Sequence, residues 1–333
     1  MSWQLKTSYR SVINPGRILV SGANGFLGRG LVNRGASDGL LLRATTRRPI
    51  ENWPSGVESA LTEDLAVKGD WRAALDGVDA VVNCAARVHV MRETSADPLA
   101  EFRRVNVAGT LNLARQAADV GVRRFVYISS IGVNGAETFE KPFTAEDKAA
   151  PHSPYAVSKH EAELGLRQLA QETGLEVVII RPPLVFGPSA PGNFNKLLLI
   201  VYRGIPLPIG AIHNKRSLVA LDNLVDLIVI CVHHPAAANQ TFLVSDGEDL
   251  STTELLRRTG AALGRPARLI PVPAVVLRTA ARLLGKAGFA QQLCGSLQVD
   301  INKTRDLLGW APLVSVDEAL MQTARHFLAD RPS

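Results

Sequence analysis

Short apolar runs and helical patterns alternate along the first half of the chain. Six apolar runs predict strands, at 17–21, 41–46, 57–62, 78–85, 124–130 and 176–185. Three stretches with helical periodicity lie between them, at 26–34, 70–76 and 101–120. Strands separated by helices need crossover connections, so the alternation predicts an α/β fold built on a doubly wound parallel sheet.

The periodicity loosens after about residue 187. The stretch 218–232 predicts a helix with an acidic start, and 241–246 predicts one more strand of the sheet. Ser251, followed three residues later by Glu254, forms the pattern that begins a helix. The basic amphipathic stretch 275–288 favours a helix packed over a ligand pocket rather than one that lies on a membrane surface.

Composition and charge narrow the class of protein. The chain has 333 residues, of which 46% are hydrophobic and 20% are charged, so it can bury a core and is not globally disordered. Lys and Arg outnumber Asp and Glu by 37 to 31, which gives a formal net charge of +6. The basic residues are dispersed among acids, so we expect a solvated surface that attracts phosphorylated ligands, and no nucleic-acid partner.

The cysteines and the apolar runs indicate the cellular compartment in which the protein is expected to lie. Cys84, Cys231 and Cys294 are far apart and lack a C-x-x-C spacing, so we expect neither a disulfide framework nor a metal site. The apolar runs are too short to span a bilayer, and the first residues lack a signal-peptide core. We therefore expect a cytoplasmic protein without an integral membrane segment.

A glycine-rich turn joins the first predicted strand to the first predicted helix. Its spacing is G-x-x-G-x-x-G, and it comprises Gly22, Ala23, Asn24, Gly25, Phe26, Leu27 and Gly28. The first glycines allow a tight turn and close approach to a pyrophosphate, and Gly28 lets the helix pack on the sheet. Because N–H groups at a helix start favour phosphate, the turn predicts a dinucleotide site in a Rossmann-type fold.

The end of the second predicted strand bears on the choice of dinucleotide. A carboxylate there would bind the ribose 2′-hydroxyl of NAD, but the chain has Arg47 and Arg48 instead. Arginine pairs with a 2′-phosphate, so the predicted cofactor is NAD or NADP, and these two residues are compatible with NADP. Asp64 and Leu65, after the third predicted strand, are expected to reach the adenine amine.

A second group of residues carries the chemistry. Tyr155 and Lys159 form a Y-x-x-x-K pattern, which on a helix places the phenol and the ammonium on one face. An ammonium stabilises phenolate, so we expect Lys159 to lower the pKa of Tyr155 and make it an acid/base for a carbinol proton. Ser130 ends the fifth predicted strand and can donate a hydrogen bond to the same oxygen.

Together, these motifs resemble those of the extended short-chain dehydrogenases/reductases, close to the nucleotide-sugar epimerase/dehydratase group. The resemblance runs from about residue 17 to about residue 328. It rests on GANGFLG (22–28), NCAA (83–86), VNVAGTLNL (105–113), YISSIGVNG (127–135), SPYAVSK (153–159), RPPLVFGP (181–188), RSLVALDNLVD (216–226) and DINKTRDLLGWAP (300–312).

The resemblance implies roles for particular residues. Tyr155 would be the general acid/base, Lys159 would hold the nicotinamide ribose, and Ser130 would bind the reacting oxygen. Asn106 would brace the active-site helix. Further contacts are implied with the cofactor at Ala85, Ala86 and Pro182, and with a nucleotide-sugar diphosphate at Asn193, Arg216 and Asp222.

The resemblance also implies two domains and the partners of each. The dinucleotide-binding domain would comprise 15–187 plus 218–246, and a smaller nucleotide-sugar-binding domain would comprise 188–217 plus 247–330. The expected substrate is a UDP-sugar, and we expect a homodimer.

The same residues serve two reactions at C4 of a UDP-sugar. The overall resemblance favours a 4-epimerase of UDP-glucose or UDP-N-acetylglucosamine. Arg47 and Arg48 favour the alternative, an NAD(P)H-dependent reductase of a UDP-4-keto-6-deoxy-N-acetylhexosamine. A non-sugar carbonyl reductase would not need Asn193 or Arg216, and a nucleotide sensor without turnover would not need the Tyr–Lys pair.

Overall fold

The computed structural model describes residues 16–65, 69–88 and 97–330 of the chain. The strands are β1 (Arg17–Ser21), β2 (Leu42–Thr46), β3 (Val57–Leu61), β4 (Val78–Asn83), β5 (Arg124–Ile128), β6 (Glu176–Arg181), β7 (Leu184–Phe186), β8 (Arg216–Ala220), β9 (Thr241–Leu243) and β10 (Asp249–Leu250). The helices are α1 (Phe26–Ser37), α2 (Arg72–Leu75), α3 (Pro98–Phe102), α4 (Thr110–Asp119), α5 (Pro154–Thr173), α6 (Asn193–Tyr202), α7 (Leu221–His233), α8 (Thr252–Ala262), α9 (Ala274–Leu283), α10 (Ala287–Cys294), α11 (Asn302–Leu308) and α12 (Val316–Ala329). A π-helical segment, Arg103–Gly109, joins α3 to α4.

The main sheet has seven strands in the order β3-β2-β1-β4-β5-β6-β9. Each neighbouring pair from β3 to β6 is parallel. The strand order reverses between β1 and β4, and in such sheets ligands bind beyond the carboxyl ends of the strands at this reversal. The predicted fold class, a Rossmann-type doubly wound α/β fold, is therefore confirmed.

The core beneath one face of the sheet explains the apolar runs. Phe125 and Tyr127 of β5 and Val177 of β6 are buried against Leu113 of α4 and Leu166 of α5. Strands of a parallel sheet that is covered by helices are buried on both sides, so they show continuous rather than alternating hydrophobicity. This packing holds the carboxyl ends of β1, β4 and β5, which are followed by the glycine-rich turn, by Ala85 and Ala86, and by Ser130.

Two predictions about chain segments are wrong, and both concern a second sheet with the order β10-β8-β7. The predicted single strand 176–185 is two strands, because β6 ends at Arg181 and β7 begins at Leu184 in the other sheet. The two prolines between them have no N–H group with which to continue the ladder. The predicted helix 218–232 begins as strand β8, which pairs in parallel with β7.

The chain divides into two compact units. Of the described residues, one unit contains those before Ser130 together with 157–180 and 227–241. The other contains Ser130–Ala156, Arg181–Asp226 and the described residues from Phe242 to 330. Which ligand each part of the chain binds stays a prediction.

Candidate active site

The glycine-rich turn has the geometry that a diphosphate site needs. Gly22 has a φ of 66°, in the left-handed region, and a Cβ there would lie 2.8 Å from Cα of Ala85. A Cβ at Gly28 would meet the carbonyl oxygen of Gly22, so only glycine lets α1 start against the turn. The first turn of α1 carries no acidic residue, and its N-cap, Gly25, provides no side-chain hydrogen bond. This helix start therefore suits a phosphate.

Two residues predicted at the adenosine end of the cofactor contact each other. Nη1 of Arg47 lies 2.6 Å from Oδ2 of Asp64, and the two side chains are 69% and 42% exposed. An exposed ion pair contributes little free energy, so a ligand phosphate can compete with Asp64 for the guanidinium. Arg48 is exposed beside them, whereas Leu65 is buried and its carbonyl group packs against Gly109.

Asn106 connects the loop after β4 to helix α5. It is fully buried, and its Oδ1 accepts the backbone N–H of Arg87 at 2.8 Å. Its Nδ2 donates to the carbonyl oxygen of Arg87 at 3.1 Å and to Oγ of Ser158 at 3.0 Å. Ser158 precedes Lys159, so these bonds connect the segment just beyond Ala85 and Ala86 to the helix that carries Tyr155. Asn106 lies in the π-helical segment, which the sequence analysis does not predict.

Lys159 is buried next to the end of β5. Its side chain is 2% exposed, and its Nζ donates to the carbonyl oxygen of Ile128 at 2.8 Å. The same atom lies 4.6 Å from the ring centroid of Tyr127. Burial lowers the pKa of Lys159 to about 7, and the neighbouring Cys84 and Glu163 partly offset this decrease. Lys159 is therefore poised to gain or lose a proton near neutral pH.

Tyr155 is half-buried in the first turn of α5, four residues before Lys159. Burial raises the pKa of Tyr155 to about 12. The expectation that Lys159 lowers this pKa is not met in the chain alone. The physical reason is desolvation, which makes the phenolate less stable and so raises the pKa of Tyr155. Desolvation also lowers the pKa of Lys159, so this side chain is only partly protonated near neutral pH.

Ser130 begins the short 3-10 turn Ile131–Val133 just after β5. Its Oγ accepts the N–H of Gly132 at 3.1 Å. A Cβ added at Gly132 would lie 3.3 Å from Cβ of Ala156 and 3.4 Å from Oγ of Ser130. The N–H of Ile131 donates to the carbonyl oxygen of Pro182 at 3.0 Å. The turn thus brings Ser130 close to the first turn of α5, where Tyr155 lies, and to Pro182.

Glu163 is a buried carboxylate that is not among the predicted site residues. It is fully buried. Its carboxylate accepts a hydrogen bond from the hydroxyl of Ser129 at 2.6 Å and another from Nη2 of Arg167 at 3.2 Å. Lys159, Glu163 and Arg167 are spaced four residues apart on α5 and alternate in charge. This four-residue spacing can be read from the sequence, and it would have indicated that the three charged side chains lie on one face of the helix. Glu163 joins the end of β5 to α5 and places a negative charge near Lys159.

We expect the free energy of unfolding of the cofactor-free protein to rise between about pH 7 and about pH 9. A lysine in the unfolded chain has a pKa of about 10.4, whereas that of Lys159 is about 7 in the folded chain. The unfolded state therefore binds more protons in this window, and stability rises with pH, by at most about 1.4 kcal/mol per pH unit. Urea unfolding at several pH values measures the slope.

The matched variants for this measurement are Lys159→Met and Lys141→Met. Lys141 is exposed, so its loss should leave the slope unchanged. Lys159→Met should flatten the slope, because it removes the shifted group. A slope in Lys159→Met equal to that of the unchanged protein would contradict the burial argument.

The residues predicted to bind the sugar diphosphate lie at the starts of three elements. Arg216 begins β8, and its Nη1 donates to the carbonyl oxygens of Gln292 at 3.0 Å and Gly295 at 3.1 Å. Burial lowers the pKa of Arg216. Asp222 lies in the first turn of α7. Asn193 begins α6, but its side chain lies outside the described residues.

Residues 16–65, 69–88 and 97–330 contain neither a cluster of metal ligands nor a membrane-spanning helix. No three His, Cys, Asp or Glu side chains in these ranges are grouped as metal ligands would be. None of the helices in the same ranges combines the length and the apolar character needed to cross a membrane.

Comparisons with known proteins identify the family of the chain. Residues 18–245 match the NAD dependent epimerase/dehydratase family. The chain is 46% identical over 317 residues to UDP-glucose 4-epimerase of Vibrio cholerae, and the match covers 94% of this chain and 96% of that protein.

Two solved structures show the same fold. The crystal structure of UDP-glucose 4-epimerase from Thermotoga maritima with UDP-glucose has a TM-score of 0.76 and 21% identity, and the match covers 94% of this chain and 99% of that one. The crystal structure of UDP-glucuronic acid 4-epimerase from Bacillus cereus in complex with NAD has a TM-score of 0.75 and 18% identity, over 94% and 99% of the two chains.

A Rossmann-type sheet, a glycine-rich turn and a helix with Y-x-x-x-K define an extended short-chain dehydrogenase/reductase, an enzyme class that uses a nicotinamide dinucleotide. The chain belongs to the NAD dependent epimerase/dehydratase family, as its motifs predict.

Proposed function

We propose that the protein is a UDP-sugar 4-epimerase that acts on UDP-glucose or UDP-N-acetylglucosamine. The observation that carries this proposal is the 46% identity to UDP-glucose 4-epimerase of Vibrio cholerae, over nearly the full length of both chains. The candidate site supports it, because epimerisation at a sugar carbon needs an acid/base beside a redox cofactor. Tyr155 and Ser130 are the groups we assign to the 4-hydroxyl of the sugar.

The turn at Gly22 and Gly28 fits the dinucleotide. A Cβ at either position would clash with the protein's own backbone, so glycine allows the tight turn that presents the start of α1 to a diphosphate. A nicotinamide dinucleotide held by this turn would supply reversible hydride transfer at C4 of the sugar. We assign to Tyr155 the removal of the proton from the 4-hydroxyl and its return to the oxygen of the 4-keto sugar. Ser130 donates a hydrogen bond to that oxygen.

Lys159 makes the proton transfer of Tyr155 feasible. A phenol with a pKa of about 12 stays protonated at neutral pH, and only its phenolate form is a base. Transfer of the Tyr155 proton to the uncharged amine of Lys159 leaves a phenolate and an ammonium on the same helix face, where each charge stabilises the other. The carbonyl oxygen of Ile128 holds the ammonium in place, 2.8 Å from Nζ.

Conversion of UDP-sugars without a supplied reductant tests the proposal. The purified protein is incubated with UDP-N-acetylglucosamine or UDP-glucose, with and without added NAD, and the products are separated by chromatography. Formation of UDP-N-acetylgalactosamine or UDP-galactose supports the 4-epimerase. Inactivity on both sugars, together with NAD(P)H consumption on a UDP-4-keto-6-deoxy-N-acetylhexosamine, would instead establish the reductase.

The reductase is a second candidate because two exposed arginines directly follow β2. Arg47 and Arg48 are compatible with an exchangeable, 2′-phosphorylated cofactor, which a reductase consumes and an epimerase does not need. The choice between NAD and NADP therefore bears on the choice of reaction.

We expect Arg47→Ala combined with Arg48→Ala to weaken NADPH binding about tenfold more than NADH binding, because only NADPH carries the 2′-phosphate. Asp64→Asn should raise the preference for NADPH over NADH, since it releases Arg47 from its contact at 2.6 Å. Fluorescence titration measures both affinities. Arg72→Ala is the control, because Arg72 also forms an exposed ion pair, with Asp70. Equal losses for the two cofactors would exclude the 2′-phosphate role.

The expected homodimer and cytoplasmic location stay predictions. The three cysteines are all free, which supports a reducing compartment. Size-exclusion chromatography with light scattering determines whether the protein is a dimer.

A further inference from the structure

Helix α9 exposes apolar side chains along its whole length. None of its residues is buried, although the sequence favours a packed helix. Val275 is 68% exposed, Val276 52%, Leu283 84% and Leu284, just after the helix, 72%. On α10, Phe289 is 62% exposed. Single exposed apolar residues are ordinary, but a group of this kind marks an interaction surface.

The spacing of these residues makes the surface continuous. Val275, Thr279 and Leu283 follow one another at four-residue intervals, as do Val276, Ala280 and Leu284. Residues four apart are neighbours on one face of a helix, so two adjacent rows run along three turns. We call this surface the α9 stripe. Thr279 and Ala280, in its middle turn, are exposed as well, so the stripe is unbroken.

The charged side chains at the exposed end of the α9 stripe are basic. Residues 255–299 contain no Asp or Glu. The Lys and Arg residues in that stretch are Arg257, Arg258, Arg265, Arg268, Arg278, Arg282 and Lys286. Arg278 already donates to the carbonyl oxygen of Cys294 at 3.0 Å and lies 3.8 Å from Glu137. Arg282 and Lys286 are exposed at the end of the helix, directly beside Leu283 and Leu284.

We propose that the α9 stripe docks on an anionic lipid bilayer, with the apolar side chains in the interfacial layer and Arg282 and Lys286 on lipid phosphates. An exposed amphipathic helix with basic residues beside its apolar face has the chemistry for this position. A second copy of the chain fits less well, because a symmetric contact through the stripe would bring Arg282 and Lys286 of the two copies close together. The docking is peripheral and requires no membrane-spanning segment.

Vesicle sedimentation with the full-length protein tests the proposal. The vesicles contain phosphatidylcholine alone or phosphatidylcholine with phosphatidylglycerol. We expect binding to the mixed vesicles to be about tenfold or more tighter than to neutral ones, and to weaken as salt is added. Leu283→Ser with Leu284→Ser, and separately Arg282→Gln with Lys286→Gln, should each reduce this binding about tenfold or more.

Matched variants separate the stripe from general surface effects. Leu61→Ser removes an apolar side chain that is 62% exposed on strand β3, and Arg115→Gln with Arg325→Gln removes two exposed charges on other helices. These variants should bind vesicles as the unchanged protein does. The proposal is overturned by absent vesicle binding, by equal losses in the controls, or by a dimer that Leu283→Ser with Leu284→Ser dissociates. Circular dichroism confirms that each variant is folded.

Discussion

Replacing Tyr155 with phenylalanine is expected to lower kcat by about a hundredfold or more, while cofactor affinity stays within about twofold. The phenylalanine ring keeps the packing of the first turn of α5 and loses only the hydroxyl group. Lys159 and its bond to the carbonyl oxygen of Ile128 remain. The variant should therefore bind the dinucleotide but have no group that exchanges a proton with the sugar oxygen.

Steady-state kinetics and a cofactor titration on the same preparation distinguish this role from a structural one. Tyr202→Phe is the matched control, because it removes a phenol hydroxyl from α6 and keeps the ring that packs on Phe327. Its kcat should equal that of the unchanged protein. If Tyr155→Phe keeps its kcat, Tyr155 is not the acid/base. A parallel loss of cofactor affinity would point to a structural role.

Gly28→Ala is expected to weaken dinucleotide binding by about a hundredfold or more, because the turn that holds the diphosphate must move. The new Cβ would meet the carbonyl oxygen of Gly22 and lie 2.8 Å from Cα of Ala23. Both are backbone atoms, so no side-chain rotation relieves the clash. The change separates α1 from the turn and withdraws the helix N–H groups from a phosphate.

Isothermal titration with NAD and NADP measures this loss. Gly288→Ala is the control, because a Cβ there meets no atom within 4 Å. Thermal unfolding of both variants shows whether Gly28→Ala still folds. Dinucleotide affinity in folded Gly28→Ala equal to that of the control would show that the turn does not hold the diphosphate.

The order of strands and helices could be predicted because local patterns encode it. The run 17–21, the turn Gly22–Gly28 and the helix after it coincide with β1, the turn and α1 of the structure. Glycine positions and the i, i+4 spacing of Tyr155 and Lys159 are properties of neighbouring residues, so they can be read without knowledge of the fold.

The strand at Arg216–Ala220 could not be predicted, because its partners are distant in the chain. The apolar run that begins at Leu218 fits a helix or a strand equally well by periodicity. Its pairing with Leu184–Phe186 on one side and Asp249–Leu250 on the other makes it a strand. The π-helical turn around Asn106 likewise accompanies hydrogen bonds to Arg87 and Ser158, which lie far from it in sequence.

The residues in sequence order thus sufficed to predict the family, the nicotinamide-dinucleotide turn and the Tyr155–Lys159 pair, since each depends on chemistry within a few positions. The extent to which each side chain is buried could not be predicted from the sequence, and burial determines the pKa values of Tyr155 and Lys159. It raises the pKa of Tyr155, lowers that of Lys159 and encloses the carboxylate of Glu163. It also leaves the α9 stripe exposed. Desolvation depends on which distant segments surround a group, and the packed chain alone specifies those neighbours.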